Sequence, residues 1–321
     1  AAAGSAAANS TRGILVGQYA SLSGADITLQ GRGAPTTSGS VGVSVAQSAS
    51  VVATGSVSIT GTGGGTNTNP SFASSSNQGV SVVSGATIES TGATGAVSIS
   101  GTGGGNPLGM NNYGVAITAG TLRTRGGALT ITGTEGAGTV NNGIALASGA
   151  YLGGVSQTGA LILRANSMEW GALGTLTLKT DGAVTIEPVA TSFISTQTLG
   201  TNVVLEGAIL AGPSALTIGK ASNIASLSLY NTVSVAGPIS LKAGQITLGS
   251  NIKTTGTGAN NGLLSIISYA GNIGVEQVGA TPSLIVTAPY VSVTGANNTV
   301  WLGNNNVIAT VPIKLLLPSH T

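Results

Sequence analysis

Cysteine is absent from the 321 residues, histidine occurs once, and only 6% of the chain is charged. Each shortage removes a class of function. Without cysteine there is no thiolate nucleophile and no disulfide framework, and the absence favours an exported protein over a cytosolic one. The single histidine, His320, sits beside the terminus, so Ser-His-Asp and histidine-metal arrangements lack their base or ligand. Ten Lys and Arg against eight Asp and Glu leave a formal net charge of +2. These charges are scattered, with Arg123 and Arg125 the closest basic pair, and no stripe suits a nucleic-acid backbone or an anionic membrane. No apolar run is long enough for a transmembrane helix. The chain does not begin with Met and shows no signal peptide, and is read as a processed product or a fragment.

Aromatics make up 3% of a composition that is 41% hydrophobic, so the core must be built from Val, Ile, Leu and Ala. With 52 glycines and abundant Ser and Thr, the chain is rich in strand formers and turn residues. It is too apolar and too patterned for disorder.

The pattern is a repeat of about 30 residues. One strand motif, Gly-apolar-x-apolar, recurs at Gly13–Val16, Gly42–Val45, Gly79–Val82, Gly114–Ile117 and Gly143–Leu146. A lone apolar residue follows at Leu22, Val51, Ile88, Leu122 and Leu152. A third motif closes each unit: GADITLQG (24–31), GSVSITG (55–61), GAVSISG (95–101) and GALTITG (127–133), with GALILRA (159–165) a degraded copy. Within it, Val57 and Ile59, Val97 and Ile99, and Leu129 and Ile131 alternate with Ser58, Thr60, Ser98, Ser100, Thr130 and Thr132. Period-two alternation points the aliphatic set inward and the hydroxyl set outward. Loops of varying length fall at one corner, as a solenoid tolerates. Asn77, Asn111, Asn112, Asn141 and Asn142 stand just before strand glycines, where they suit left-handed turns or a coil-to-coil ladder. The glycine runs 63–65 and 103–105 read as corner loops. After about residue 160 the loops shorten while strands continue, and 166–170 is the least regular stretch there.

The expected architecture is an all-β right-handed parallel β-helix, a β-solenoid with three short strands per coil and variable corner loops, right-handed because nearly all parallel crossovers are. About eleven coils would make a rod on the order of 50 Å long. Residues 1–12 form a small-residue segment and 13–310 a single solenoid, regular over 13–160 and looser over 161–310. Residues 311–321 form a cap or a docking strand, with Ile313, Leu315, Leu316 and Leu317 as the assembly contact to another copy of the chain. The carboxylates (Asp26, Asp181, Glu89, Glu135, Glu169, Glu187, Glu206 and Glu276) show none of the clustering that polysaccharide cleavage on a β-helix needs, so no catalytic residue, metal or cofactor is assigned.

The runs GVSVVSGATIESTG, GAVSISGTGGG and NNYGVAITAGTLRTRGGALTITGTEG, and later GPISLKAGQITLGSNIKTTGTGANNGLLSIIS, resemble the repeats of bacterial exported proteins of the filamentous-haemagglutinin and autotransporter-adhesin type. The resemblance is one of repeat style over most of the chain. The amino-terminal secretion domain and membrane β-barrel of such proteins are not recognisable. It implies a right-handed β-helix, export across an outer membrane, and a part in adhesion, biofilm or surface fibres. Copies of itself and a host or neighbouring cell surface are the implied partners. Two other readings compete: a ligand-binding solenoid module, for ice through its outward Ser and Thr columns or for glycan, against which the aromatics available for stacking (Trp170, Trp301 and six Tyr) are too few for a carbohydrate platform, and, further off, a β-helix enzyme of polysaccharides.

Overall fold

In the computed structural model of the chain, the residues described are 11–35, 38–65, 73–155, 157–171, 174–207, 212–256, 261–270, 273–275, 285–287, 290–295, 300–301, 307–309 and 313–316. They form thirty-three strands that wind as eleven coils of three, and each strand pairs in parallel with the strand three places on or back. The fold is a parallel β-helix. The coils are numbered 1 to 11 and the faces one to three, in chain order.

Face three is one continuous sheet of eleven strands, from Ile27–Arg32 in coil 1 to Ile313–Leu316 in coil 11. Its register stacks Ile27, Val57, Val97, Leu129, Leu161, Val184, Leu216, Ile239 and Leu264 in one column. Two residues on, Leu29, Ile59, Ile99, Ile131, Leu163, Ile186, Ile218, Leu241 and Ile266 form a second. From coil 2 onward these side chains are buried, whereas Leu29 in coil 1 is half-buried. One coil alone leaves its aliphatic face bare; a neighbour at about 4.8 Å covers it, and the ladder satisfies the backbone in the same step.

The other two faces are each split. Face one is a six-stranded sheet over coils 1–6, from Arg12–Val16 to Met168–Trp170, followed by a five-stranded sheet over coils 7–11, from Gln197–Leu199 to Val300–Trp301. Face two runs seven strands, from Ser21–Gly24 to Val203–Glu206 in coil 7, and restarts at Val233–Val235 in coil 8. The two breaks are staggered by one coil, and only face three runs unbroken through both.

The repeat motifs land on these faces as their spacing predicts. Ile14, Val43, Val80, Val115 and Ile144 stack on face one. Leu22, Val51, Ile88, Leu122 and Leu152 stack on face two, with Leu122 in line despite its shorter spacing. The closing glycine of the third motif has a steric reason. A Cβ on Gly61 or Gly101 would strike the carbonyl of Gly79 or Gly114, because faces three and one converge there backbone to backbone.

Three local expectations are revised. Of the corner asparagines, only Asn111 takes a left-handed φ; the column of positive φ is Gly39, Ser76, Asn111 and Val140, one residue ahead of Ser40, Asn77, Asn112 and Asn141. The other expectation for these residues, a coil-to-coil ladder, is the one that Asn77, Asn112 and Asn141 meet. Asn77 Oδ1 accepts from Ser40 N–H at 2.9 Å, Asn112 Oδ1 from Asn77 N–H at 2.9 Å, and Asn141 Oδ1 from Asn112 N–H at 2.8 Å. The glycine runs are more than loops: Gly64 N–H donates to Ser40 C=O and Gly104 N–H to Asn77 C=O, so each loop leaves the coil as a further stacked rung. Met168–Trp170, expected to be irregular, is the last rung of the first sheet of face one, in register with Ile144, Ala145 and Leu146.

Candidate functional site

Three features stand apart from the repeating core. The first is the end of face three. Ile313, Leu315 and Leu316 lie in the strand Ile313–Leu316, which continues the ladder in register with Val291–Thr294; Leu317 lies outside the described residues. This strand ends the order of its sheet, as Ile27–Arg32 does at the opposite end. Such edges present backbone donors and acceptors in a row. At the coil 1 end, Ile14, Leu22 and Leu29 pack against the core only partly buried.

The second feature is the placement of the scarce charges. Arg123 Nη2 meets Glu89 Oε2 at 2.7 Å, Arg164 Nε meets Glu187 Oε1 at 2.6 Å, and Lys179 Nζ meets Glu206 Oε2 at 3.0 Å. Each pair joins residues directly opposite on adjacent coils. Glu89 lies within the second strand of its coil, Thr87–Ser90. Each charged residue stands one place after a column residue: Ile88 and Leu122, Leu163 and Ile186, Leu178 and Leu205. Alignment on those columns is the signal by which the pairs are recognised. The bond to Glu206 holds the Lys179 ammonium above its ordinary value of 10.5. Burial, followed by the Glu169 charge and hydrogen bond, holds the Tyr113 phenol above 10.0. Asp26 accepts from Ser56 N–H at 2.7 Å and closes a corner. Among the described residues no group of three or more His, Cys, Asp or Glu is placed to hold a metal ion.

No protein-family model matches the chain, and no curated protein or solved structure matches it either.

The third feature is a patch of hydroxyls on the outer side of face three. Ser58, Thr60 and Thr62, then Ser98, Ser100 and Thr102, then Thr130, Thr132 and Thr134 are in register over coils 2–4. The rows are about 4.8 Å apart. All nine are exposed or half-exposed. Gln30 and Arg32 border the patch on one side and Arg164 on the other, so its interior carries no charge. No described helix is long and apolar enough to cross a membrane.

Proposed function

We propose that this chain is a structural and adhesive segment of an exported bacterial surface fibre, working as a rod and not as a catalyst. The observation that carries the reading is the face-three sheet, where the same aliphatic pairing recurs joint after joint while its outward positions over coils 2–4 are all Ser or Thr. A solenoid of constant section transmits load and sets distance, and its open ends suit end-to-end association with further coils. The repeat resemblance to haemagglutinin-type exported proteins points the same way, and an extracellular setting agrees with the lack of cysteine.

Negative-stain microscopy of the purified chain tests this directly. Rods about 50 Å long, or multiples of that length joined end to end, are expected. Removing residues 311–321 should shorten the assemblies if Ile313–Leu316 forms the contact. Globular particles that never associate and do not coat cells would remove the reading. A second reading, a module that binds an ordered surface such as ice, draws on the nine-hydroxyl patch; thermal hysteresis abolished by Thr102→Lys is its test.

A further inference from the structure

Face one stops between coils 6 and 7, after Met168–Trp170, and face two stops one coil later, after Val203–Glu206. At the first joint faces two and three keep their ladders; at the second, faces one and three keep theirs. Each joint is held on two sides and open on the third, and the open side changes from one joint to the next. Face three is held at both. Every joint among coils 1–6, by contrast, is held on all three faces.

Across the open sides, side-chain bonds stand where ladder bonds would be. On face one, Trp170 Nε1 donates to Gln197 Oε1 at 3.2 Å. At the corner that follows, Asn202 Nδ2 of coil 7 donates to the carbonyl of Trp170, at 3.2 Å, and to that of Gly171. On face two, Asn231 Nδ2 donates to the Val203 carbonyl at 3.1 Å, and its Oδ1 accepts no hydrogen bond from any described residue. A ladder bond is fixed by two backbones, whereas a side-chain bond follows a moving rung by turning its own torsions. A groove of about 280 Å³ lies along the open part of face two, lined by Val203–Leu205 of coil 7 and Tyr230–Thr232 of coil 8. Close packing resists tilting, and the second joint lacks it on that side.

We propose that coils 6–8 form a two-axis hinge. Coil 7 tilts from coil 6 by opening on face one, coil 8 tilts from coil 7 by opening on face two, and face three is the pivot common to both. The two tilts add to bend the rod toward face three and to widen the corner between faces one and two. Only side-chain bonds part in this motion, so the coils on either side stay folded. The hinge belongs to the β-helix itself and holds whether or not the chain joins a fibre.

Pulsed dipolar spectroscopy of nitroxide pairs tests this on the full chain, whose lack of cysteine confines the labels to the introduced sites. Thr118→Cys with Thr232→Cys places labels at the corner between faces one and two, on coils 4 and 8, across both open sides. Gln47→Cys with Thr175→Cys spans coils 2 and 6 at the same corner without crossing either. Thr130→Cys with Ser240→Cys spans coils 4 and 8 along one column of face three. Each pair is four coils apart, or about 19 Å. The 118/232 pair is expected to show a broad distribution with a longer component, and the 47/175 and 130/240 pairs a single narrow one. Asn202→Ala, checked for folding by circular dichroism, should raise the long-to-short ratio of the 118/232 pair about two- to tenfold, the worth of one hydrogen bond. The proposal fails if the 118/232 pair is as narrow as the 47/175 pair. It fails equally if the 130/240 pair broadens with it, because the joint would then part on every face and not turn about face three. An unchanged ratio in folded Asn202→Ala would remove the side-chain clamp on which the hinge rests. Should that variant not fold, the three pairs in the otherwise unchanged chain decide the matter alone.

Discussion

Coils 1–6 and coils 7–11 follow one three-strand plan, yet they are held together differently. In the first region all three faces are unbroken sheets, and the corner before face one carries the ladder of Asn77, Asn112 and Asn141. Face one stops between coils 6 and 7 and face two between coils 7 and 8, so each of these joints keeps backbone pairing on two faces and face three alone runs through both. Side chains fill in at the break. Trp170 Nε1 donates to Gln197 Oε1 at 3.2 Å, Asn202 Nδ2 to the Trp170 carbonyl at 3.2 Å, and Asn231 Nδ2 to the Val203 carbonyl. In a solenoid stability is a sum of nearest-neighbour terms, so the difference locates the weakest coupling in the rod.

The most forceful test truncates the face-three core on either side of this distinction. Ile186 of coil 6 and Ile99 of coil 3 are both fully buried. Either one changed to Ala should cost about 2–5 kcal/mol. Ile186→Ala should also split urea unfolding, followed by circular dichroism, into two transitions, because it damages the one sheet that spans the break. Ile99→Ala should leave a single transition. One transition in both would mean that coupling is uniform.

The asparagines give the next contrast. Asn112 accepts from Asn77 N–H and Nδ2 and donates to the carbonyls of Ser74 and Ala137. Its replacement by Ala strands several buried groups and should cost about 3 kcal/mol. Asn231 makes one such bond and already leaves Oδ1 open, so Asn231→Ala should cost about 1 kcal/mol. Equal losses in denaturant titration would erase the distinction.

Alkaline titration probes both regions at once. Tyr113 belongs to the first, and Lys179 with Glu206 joins coils 6 and 7 on face two. Both groups hold their protons more tightly folded than unfolded, so their contribution is fully present below pH 10 and is lost as pH rises through the raised values. Melting temperature should therefore fall as pH rises above 10, and fall less in Lys179→Met. A profile that is flat, or equally steep in the variant, would contradict the assignment.

The smallest effect belongs to the exposed pairs. A double-mutant cycle on Arg164 and Glu187 should return about 0.2–1 kcal/mol, and less at 1 M salt.

How much of this was legible in the sequence depends on what alternation encodes. Ile27 and Leu29, and their counterparts up to Leu264 and Ile266, declare themselves by period two, and over coils 1–4 also by the glycine that ends the motif. The register follows once those columns are aligned. The break does not declare itself. Gln197-Thr198-Leu199 and Val233-Ser234-Val235 alternate like any other rung, and whether a rung hydrogen-bonds to the one below depends on its offset across the stack, which alternation leaves open. The groove at Asn231 was hidden for the same reason, since it exists only because face two fails to pair. The cross-coil ion pairs lie 23 to 34 residues apart and look scattered until the columns bring them opposite.

Face three has one further consequence. Every joint along it repeats the same aliphatic match, so neither neighbour of a given coil needs to be a particular coil. An in-frame duplication or deletion that copies or removes a whole turn would leave each remaining joint as well matched as before. Genes for chains of this kind can therefore drift in length by recombination between their own repeats. The staggered segment around Trp170 and Asn231, built from contacts found nowhere else among the described residues, is where such exchange would meet resistance.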